Sequence, residues 1–299
     1  MMHPRPQVSI AIACVNGLPY IEECLRSFER QGDAISYEVI VADRCNNGCR
    51  DAVRRHPNAT LIEVDRPATV PELRALAIRQ ARGELVGITE DHCVAPDGWL
   101  AAMVRAHAEG HRIVGGPIEN AATRRLVDRA VFYCEYSGFA PPLSRGPGAV
   151  PGNNTTYDRA LLPLIDDLLD QGVWEEEFNA RLAGHGHAPY VEPAALMIHK
   201  KSFGLGEFMV QRYHYARSYA GLRLRRAPLW CRPVYAGFAM TLLPPMLLAR
   251  IIRDVWARHR RRRELAASLP LLALFVAAWG WGEFVGYLSG PGDSLAKVE

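Results

Sequence analysis

The chain has 299 residues and a mass of 33.2 kDa, with 49% hydrophobic and 22% charged residues. This length allows one large α/β domain with an appendage or two small domains, and the composition excludes a disordered chain and a coiled coil. The net charge of +3 conceals an asymmetry, because residues 201–263 hold 14 basic and two acidic side chains while the rest carries a net charge of −9. A basic stretch on an acidic body favours an anionic membrane surface as a partner, and not nucleic acid.

The first 90 residues alternate strand-like and helix-like segments. Short apolar runs predict buried strands at residues 8–14, 37–42, 60–64 and 84–89. Helical spacing predicts helices at residues 18–31, 49–56 and 70–82, the last of them closed by a C-cap glycine at Gly83. This order predicts an α/β fold with a doubly wound, mostly parallel sheet, in which ligands bind beyond the carboxyl ends of the strands.

The polar residues that follow these strands limit the kind of nucleotide site. The first strand is not followed by the G-x-G-x-x-G of a dinucleotide-binding fold, and no lysine before residue 200 could complete a P-loop. A phosphate group must therefore be neutralised in another way, and an acidic cluster at a strand end can do this through a metal ion. Glu90-Asp91-His92 offers two carboxylates and one imidazole there, although a polar turn is the alternative interpretation.

The cysteines indicate a reduced compartment. Seven cysteines are an odd number, and residues 1–7 lack the apolar segment of a secretory leader, so we expect a cytoplasmic setting. Cys45 and Cys49 flank Asn-Asn-Gly, but this is not a CxxC pair and the sequence holds no second pair. The sequence therefore does not favour a structural zinc site.

Several motifs in the first 200 residues follow one another in a specific order. They are residues 8–16, residues 37–48, Arg74 with Gly83-Glu84, residues 90–100, residues 151–154, and residues 174–178 with Arg181-Leu182 and Gly184. In this order the chain resembles the inverting family 2 glycosyltransferases, which have the GT-A fold. The resemblance implies a nucleotide-binding half at residues 1–100 and an acceptor-side half at residues 101–215. A C-terminal helical, membrane-associated region is expected at residues 216–299.

The resemblance also implies which residues bind the nucleotide. The expected set is Ala13, Asn16, Asp43, Arg74, Glu90 and Asp91. Asp43 corresponds to the family's aspartate that reads the uracil ring, whereas an Asx turn at the strand end is the alternative. Arg74 is expected near the base and phosphates, with a solvated helix face as its alternative. The expected donor is a nucleotide-sugar, with UDP as the favoured nucleotide.

Glu90-Asp91-His92 occupies the DxD position of the family, which implies a divalent metal. Asp91 and His92 are the expected ligands, and His199 is a further candidate from a neighbouring strand, unless it is a structural histidine. The histidine in place of the usual last aspartate favours Mn²⁺, with Mg²⁺ as the alternative, because neutral imidazole suits Mg²⁺ less well.

The acids at residues 175–177 contain the expected general base. Alignment with the family's motif places the base on Glu175, with Glu176 as the rival, and favourable charges at a helix N-terminus are the alternative interpretation. The reaction implied is a single in-line displacement with inversion at the anomeric carbon. The expected acceptor-side residues are Trp99, Asn153, Asn154 and Trp174, next to a mobile loop at residues 138–148.

The C-terminal third contains two uncharged segments, at residues 233–249 and 265–282. Both are near the lower limit of about 20 residues for a membrane span. The arginine cluster at residues 258–263 lies between them, which favours an interfacial or re-entrant first segment, broken at Pro244-Pro245, on the inner face of the cytoplasmic membrane. The chain has two such segments, fewer than the multi-helix channel of a processive synthase. The Q-x-x-R-W box of those synthases is also incomplete at Gln211, so both features argue against a processive synthase. Membrane attachment suggests a glycan or lipid-linked acceptor, and a degenerate nucleotide-binding scaffold remains the alternative function.

Overall fold

A computed structural model describes residues 5–224, 228–258 and 261–298 of the chain. These residues form two compact units. The first contains the residues up to Ala121 together with Phe139–Lys201, and the second contains Ala122–Gly138 and the residues from Ser202 onwards.

The first unit contains two sheets. Its strands are β1 (Val8–Cys14), β2 (Tyr37–Asp43), β3 (Ala59–Glu63), β4 (Leu85–Glu90), β5 (Cys93–Val94), β6 (Ile113–Gly115), β7 (Ile118–Asn120), β8 (Gly146–Pro147), β9 (Thr155–Asp158), β10 (Tyr190–Val191) and β11 (Met197–His199). The large sheet has the order β3-β2-β1-β4-β9-β6-β10-β8, and the small sheet has the order β5-β11-β7. The first four strands of the large sheet are parallel, whereas β9 runs antiparallel to both β4 and β6.

Helices connect the strands of the first unit. They are α1 (Tyr20–Glu29), α2 (Cys49–Arg55), α3 (Val70–Gln80), α4 (Trp99–Ala108), α6 (Asp166–Gln171) and α7 (Glu175–Gly184), with a 3₁₀ helix at Arg159–Leu164. All seven residues of β1 and six of the seven in β2 are buried, as expected of strands covered on both faces. The α/β fold with a mostly parallel central sheet is therefore confirmed.

The prediction of a helix C-cap at Gly83 is wrong. Helix α3 begins with a capping box between Thr69 and Glu72, and it ends at Gln80 with an extended residue as its C-cap. Gly83 lies against β1 instead, where a Cβ atom would be 2.6 Å from the backbone nitrogen of Ser9. The glycine is needed for this close approach of two backbones and not for a left-handed turn.

The second unit is helical. Its helices are α5 (Leu126–Tyr136), α8 (Leu205–Leu224), α9 (Arg232–Thr241), α10 (Leu243–Ala257) and α11 (Arg262–Ser289), with 3₁₀ helices at Leu229–Cys231 and Ser294–Lys297. Helix α11 packs against α5, α8, α9 and α10. The boundary predicted between residues 215 and 216 lies inside α8. The C-terminal helical region is confirmed.

Length and composition make α11 the one helix of the described residues able to cross a membrane by itself, with a mean hydropathy of 1.7. Helices α9 and α10 meet this condition only as a pair, and they are bent by 49°. The bend lies at Leu242, directly before the predicted break. Pro244 and Pro245 occupy the first turn of α10, where a missing N–H costs little. A core helix meets the same condition, and 39% of the apolar window of α11 is buried.

Candidate functional site

Asp91 fixes the loop that follows β1. Its Oδ2 accepts hydrogen bonds from the backbone nitrogens of Val15 (3.0 Å), Asn16 (2.6 Å) and Gly17 (2.9 Å), and its Oδ1 accepts one from Asn16 Nδ2 at 2.8 Å. The side chain is completely buried. These bonds occupy the carboxylate, and the pKa of Asp91 is lowered although burial opposes the shift, because His92, Asn16 and Gly17 stabilise its charged form. Asp91 holds the strand-end loop in place, and its predicted role as a metal ligand stays a prediction.

Glu90, His92 and His199 form a group of side chains able to bind one metal ion. Their ligand atoms lie within 4.8 Å of one another. The Nε2 atom of His92 is 3.1 Å from Nε2 of His199 and 3.2 Å from Oε2 of Glu90. Two imidazole nitrogens bound at about 2.1 Å to one ion are separated by about this distance. The donor set therefore fits a divalent cation, with Glu90 in the place predicted for Asp91.

The pairing of β5 with β11 brings the two histidines together. His199 is opposite Cys93 in the small sheet, and the backbone nitrogen of Lys200 donates to the His92 carbonyl at 3.0 Å. Burial by itself would lower the pKa of His92, but hydrogen bonds and charge from Asp91 and Glu90 outweigh it and raise this pKa to about 9. Burial and the nearby His92 lower the pKa of His199 to about 3. The environment therefore favours a charged His92 beside a neutral His199.

Arg74 joins this group to the predicted general base. Its guanidinium donates to Oε1 of Glu90 at 2.7 Å and to Oε2 of Glu175 at 2.5 Å. It lies over the Trp174 ring, 5.5 Å from the ring centroid, and is 3% exposed. Asn153 Nδ2 donates to Oε2 of Glu90 at 2.9 Å. The alternative interpretation of Arg74 as part of a solvated helix face is therefore excluded, because the side chain is buried between two carboxylates.

The structure separates Glu175 from its rival Glu176. Glu175 is 2% exposed, whereas Glu176 is exposed to solvent. Oε1 of Glu175 is buried without a hydrogen-bond partner among the described residues. Burial raises the pKa of Glu175 above its ordinary value, and the opposing charge of Arg74 does not cancel the shift. Glu175 is thus a buried carboxylate that gains protons more readily than an ordinary glutamate.

The carboxylate of Asp43 is fully used inside the protein. Oδ1 accepts from the backbone nitrogen of Cys45 (3.0 Å) and from Cys49 Sγ (2.9 Å), and Oδ2 accepts from Arg50 Nε (2.9 Å) and the Asn46 nitrogen (3.3 Å). The bond to Cys45 is the Asx turn that was the alternative interpretation. Burial would raise the pKa of Asp43, but these bonds lower it. Its role in reading a base therefore stays a prediction.

Trp99 and Asn154 lie in the core. Trp99 is 1% exposed, packs edge-on against Phe28, and donates from Nε1 to Oδ1 of Asn154 at 2.8 Å. Asn154 Nδ2 donates to two backbone carbonyls. Their positions do not support the predicted contact of these two side chains with an acceptor, because they hold strands and α4 together.

The remaining predicted residues, Ala13 and Asn16, lie near the group of Glu90, His92 and His199. Ala13 is buried at the end of β1, and Asn16 Nδ2 is 3.1 Å from Nδ1 of His92. Sequence reasoning missed Arg50, which also pairs with Glu63 and Asp65 at 2.8 and 2.6 Å. Its position seven residues after Asp43, in the first turn of α2, was the available signal.

Comparisons with known proteins give the class of fold. Residues 9–133, less than half of the chain, match the family described as glycosyl transferase family 2. No curated protein sequence matches the chain. These residues therefore carry the glycosyltransferase family 2 signature within an α/β fold.

Solved structures agree with this class. The chain is similar to the mannosyltransferase PcManGT from Pyrobaculum calidifontis, in complex with GDP-Man and Mn²⁺, with a TM-score of 0.59, 20% identity, and coverage of 96% of this chain and 88% of that one. It is also similar to residues 1–349 of TarS from S. aureus in complex with UDP-GlcNAc, with a TM-score of 0.51, 17% identity, and coverage of 95% and 92%. At these identities the likeness establishes a GT-A-like fold.

Proposed function

We propose that this protein is a metal-dependent, inverting family 2 glycosyltransferase that moves one sugar from a nucleotide-sugar to an acceptor. The observation that carries the proposal is the group formed by partly buried Glu90 and buried His92 at the carboxyl end of β4 with buried His199 of β11, joined through Arg74 to Glu175. A scaffold that only binds nucleotide would not need a buried carboxylate with a raised pKa beside its cation site.

Glu90, His92 and His199 would hold the metal, which when bound supplies charge neutralisation for the departing diphosphate. Two imidazoles favour Mn²⁺, and Mg²⁺ is the alternative. Mn²⁺ and GDP-Man accompany the similar mannosyltransferase structure. Asp91 orients the loop around Asn16 and so places backbone nitrogens beside this group.

Glu175 is the proposed general base. Its buried Oε1 has no hydrogen-bond partner among the described residues, so it can accept the proton of an acceptor hydroxyl. Arg74 keeps Glu175 in position through Oε2. The raised pKa of Glu175 strengthens it as a base, whereas Glu176 is exposed to solvent.

UDP is the proposed nucleotide. A carboxylate at the position of Asp43 suits the N3–H of uracil, and UDP-GlcNAc and UDP accompany the similar TarS structures. Reading the base would require Asp43 to exchange one of its present bonds, of which the 3.3 Å bond from Asn46 is the longest.

A lipid-linked glycan on an anionic membrane is the proposed acceptor and setting. Helices α9 and α10 expose large apolar side chains, including Val234 (65%), Leu242 (57%) and Met246 (56%). Arg250 and Arg253 are exposed on the same pair of helices, at 61% and 74%. Apolar and basic side chains together favour an anionic interface. The proposed location is therefore the inner face of the cytoplasmic membrane.

Release of nucleoside diphosphate tests this proposal. Purified protein is incubated with UDP-sugars and GDP-sugars, Mn²⁺ and a polyprenyl-phosphate-linked glycan extract. We expect release that needs both Mn²⁺ and the extract, is lost in Glu175→Gln, and persists in Glu176→Gln. Nucleotide binding without turnover for any donor would instead support the scaffold alternative.

A further inference from the structure

Three thiols converge on one carboxylate at the ends of β1 and β2. The ligand atoms of Cys14, Asp43 and Cys45 lie within 4.8 Å of one another. Cys49 Sγ is 2.9 Å from Asp43 Oδ1, and the Cys14 thiol contacts both the Cys45 and Cys49 thiols. Cys14 and Cys49 are buried, and Cys45 is half-buried.

The fold brings these residues together for simple reasons. Strands β1 and β2 are parallel, with Cys14 directly opposite Asp43 in the register. The loop after Asp43 then turns back through two left-handed residues, Asn46 (φ 48°) and Gly48 (φ 85°). This turn places Cys45 and Cys49, which have three residues between them, on the same side. C-x₃-C is within the ligand spacing of structural zinc sites.

We propose that Cys14, Cys45 and Cys49 with Asp43 form a second metal site, selective for a thiophilic divalent cation such as Zn²⁺. Binding converts the three thiols into thiolates, forms three metal–sulfur bonds and releases three protons to solvent. Tetrahedral Zn²⁺ with bonds of about 2.3 Å to sulfur sets ligands about 3.8 Å apart. The ligand atoms of Cys14, Asp43 and Cys45 meet this spacing to within their 4.8 Å limit, and Cys49 Sγ lies 2.9 Å from Asp43 Oδ1.

The charges around the group suit this cation. Three thiolates and one carboxylate around a divalent ion leave a net charge of −2, and Arg50 lies 2.9 Å from Asp43 to offset part of it. The proton that Cys49 now donates to Asp43 is one of those released, which frees Oδ1 for the ion. Thiolates also separate this site from the Glu90 group, because sulfur selects Zn²⁺ over Mn²⁺.

The half-buried Cys45 gives the ion a route to the site and gives the experiment its variant. Co²⁺ is titrated into the reduced full-length protein, because thiolate-to-cobalt charge-transfer absorption reports sulfur ligands only. We expect one equivalent to produce this band, Zn²⁺ to displace it, and Mn²⁺ to leave it unchanged. His92→Ala should keep the band, since the two sites are separate.

Cys45→Ser should weaken Co²⁺ binding at least tenfold, whereas Cys231→Ser, a half-buried cysteine on the second unit, should bind like the parent protein. Circular dichroism checks that each variant is folded, and Asp43→Asn provides a second ligand variant. Absence of the charge-transfer band in the folded parent would overturn the proposal. So would an unchanged Co²⁺ affinity in both Cys45→Ser and Asp43→Asn.

Discussion

Arg74 shares its buried guanidinium between the carboxylates of Glu90, which is 19% exposed, and Glu175, which is buried. Removing Arg74 would leave both carboxylates without their cationic partner. This should lower the free energy of unfolding far more than the loss of an exposed ion pair does. Arg79 is a matched control on the same helix, because it pairs with Asp166 and Asp170 while its side chain is 40% exposed.

We expect Arg74→Met to lower the free energy of unfolding by about 3–5 kcal/mol, the range for breaking a buried ion pair. Arg79→Met should lower it by about 1 kcal/mol or less, as at an exposed pair. Urea unfolding followed by circular dichroism measures both. Equal losses in the two variants would contradict the buried bridge.

If His92 and His199 bind the metal as proposed, substituting one of them should weaken Mn²⁺ binding. His199→Ala should weaken Mn²⁺ binding at least tenfold, about 1.4 kcal/mol, because one of three ligands is lost. His185→Ala is the control, since His185 is exposed and lies outside the group. Electron paramagnetic resonance of free Mn²⁺ gives the affinity, and an unchanged value in His199→Ala would remove this residue from the site.

The raised pKa of Glu175, the proposed general base, sets the expected pH dependence of turnover. Its pKa is raised, so the base form is lost at a higher pH than for an ordinary glutamate. Turnover should therefore rise as the pH rises through this raised pKa. The free energy of unfolding should fall over the same pH range, because ionisation of the buried Glu175 is unfavourable. Glu175→Gln should lower kcat by about 10²–10⁴-fold with little change in the donor KM. An acidic limb that is missing from the pH-rate profile of the parent protein, or that persists in Glu175→Gln as in Glu176→Gln, would argue against this assignment.

At the scale of elements, the sequence predicted the strands that consist of one continuous apolar run. The runs that form β1, β2 and β4 begin or end within a residue or so of the predicted positions, because burial on both faces demands apolar side chains throughout. The small sheet was not predicted. Strands β5 and β11 have two and three residues, and their pairing joins positions more than 100 residues apart, so no local period records it.

The same limit applies to the site. Residues at strand ends, such as Asp43 and Asp91, were identified because parallel strands end at one edge. What each carboxylate bonds to depended on tertiary packing, so the position of Glu90 beside the two histidines could not be predicted from spacing. Arg74 was expected near phosphates, and only the fold shows that Glu175, 101 residues later, reaches it.

Substitution of Gly83 tests the close approach of the chain after α3 to β1. Gly83→Ala should destabilise the protein by about 1–3 kcal/mol, because its Cβ would lie 2.6 Å from the Ser9 nitrogen. Gly184→Ala, at the end of α7 with no atom within 4 Å of its Cβ, should be neutral or slightly stabilising. Thermal unfolding of the two variants distinguishes this close contact from a general intolerance of alanine.

At the scale of the whole molecule, the second unit carries the proposed membrane contact. The double substitution Val234→Glu and Leu242→Glu should reduce co-sedimentation with anionic phosphatidylglycerol vesicles at least tenfold, because it places charges among exposed apolar side chains. Thr241→Glu adds a charge at an exposed polar position of α9 and serves as the control. Equal binding of the parent protein to neutral vesicles would contradict the role of the arginines.

The central claim is that a divalent metal held by Glu90, His92 and His199 is needed to bind a nucleoside diphosphate. Calorimetric titration of UDP into detergent-solubilised protein, with and without Mn²⁺, tests it most directly. We predict binding that depends on Mn²⁺ and is lost in His92→Ala but kept in His185→Ala. UDP binding of equal affinity in the absence of any divalent ion would contradict the account.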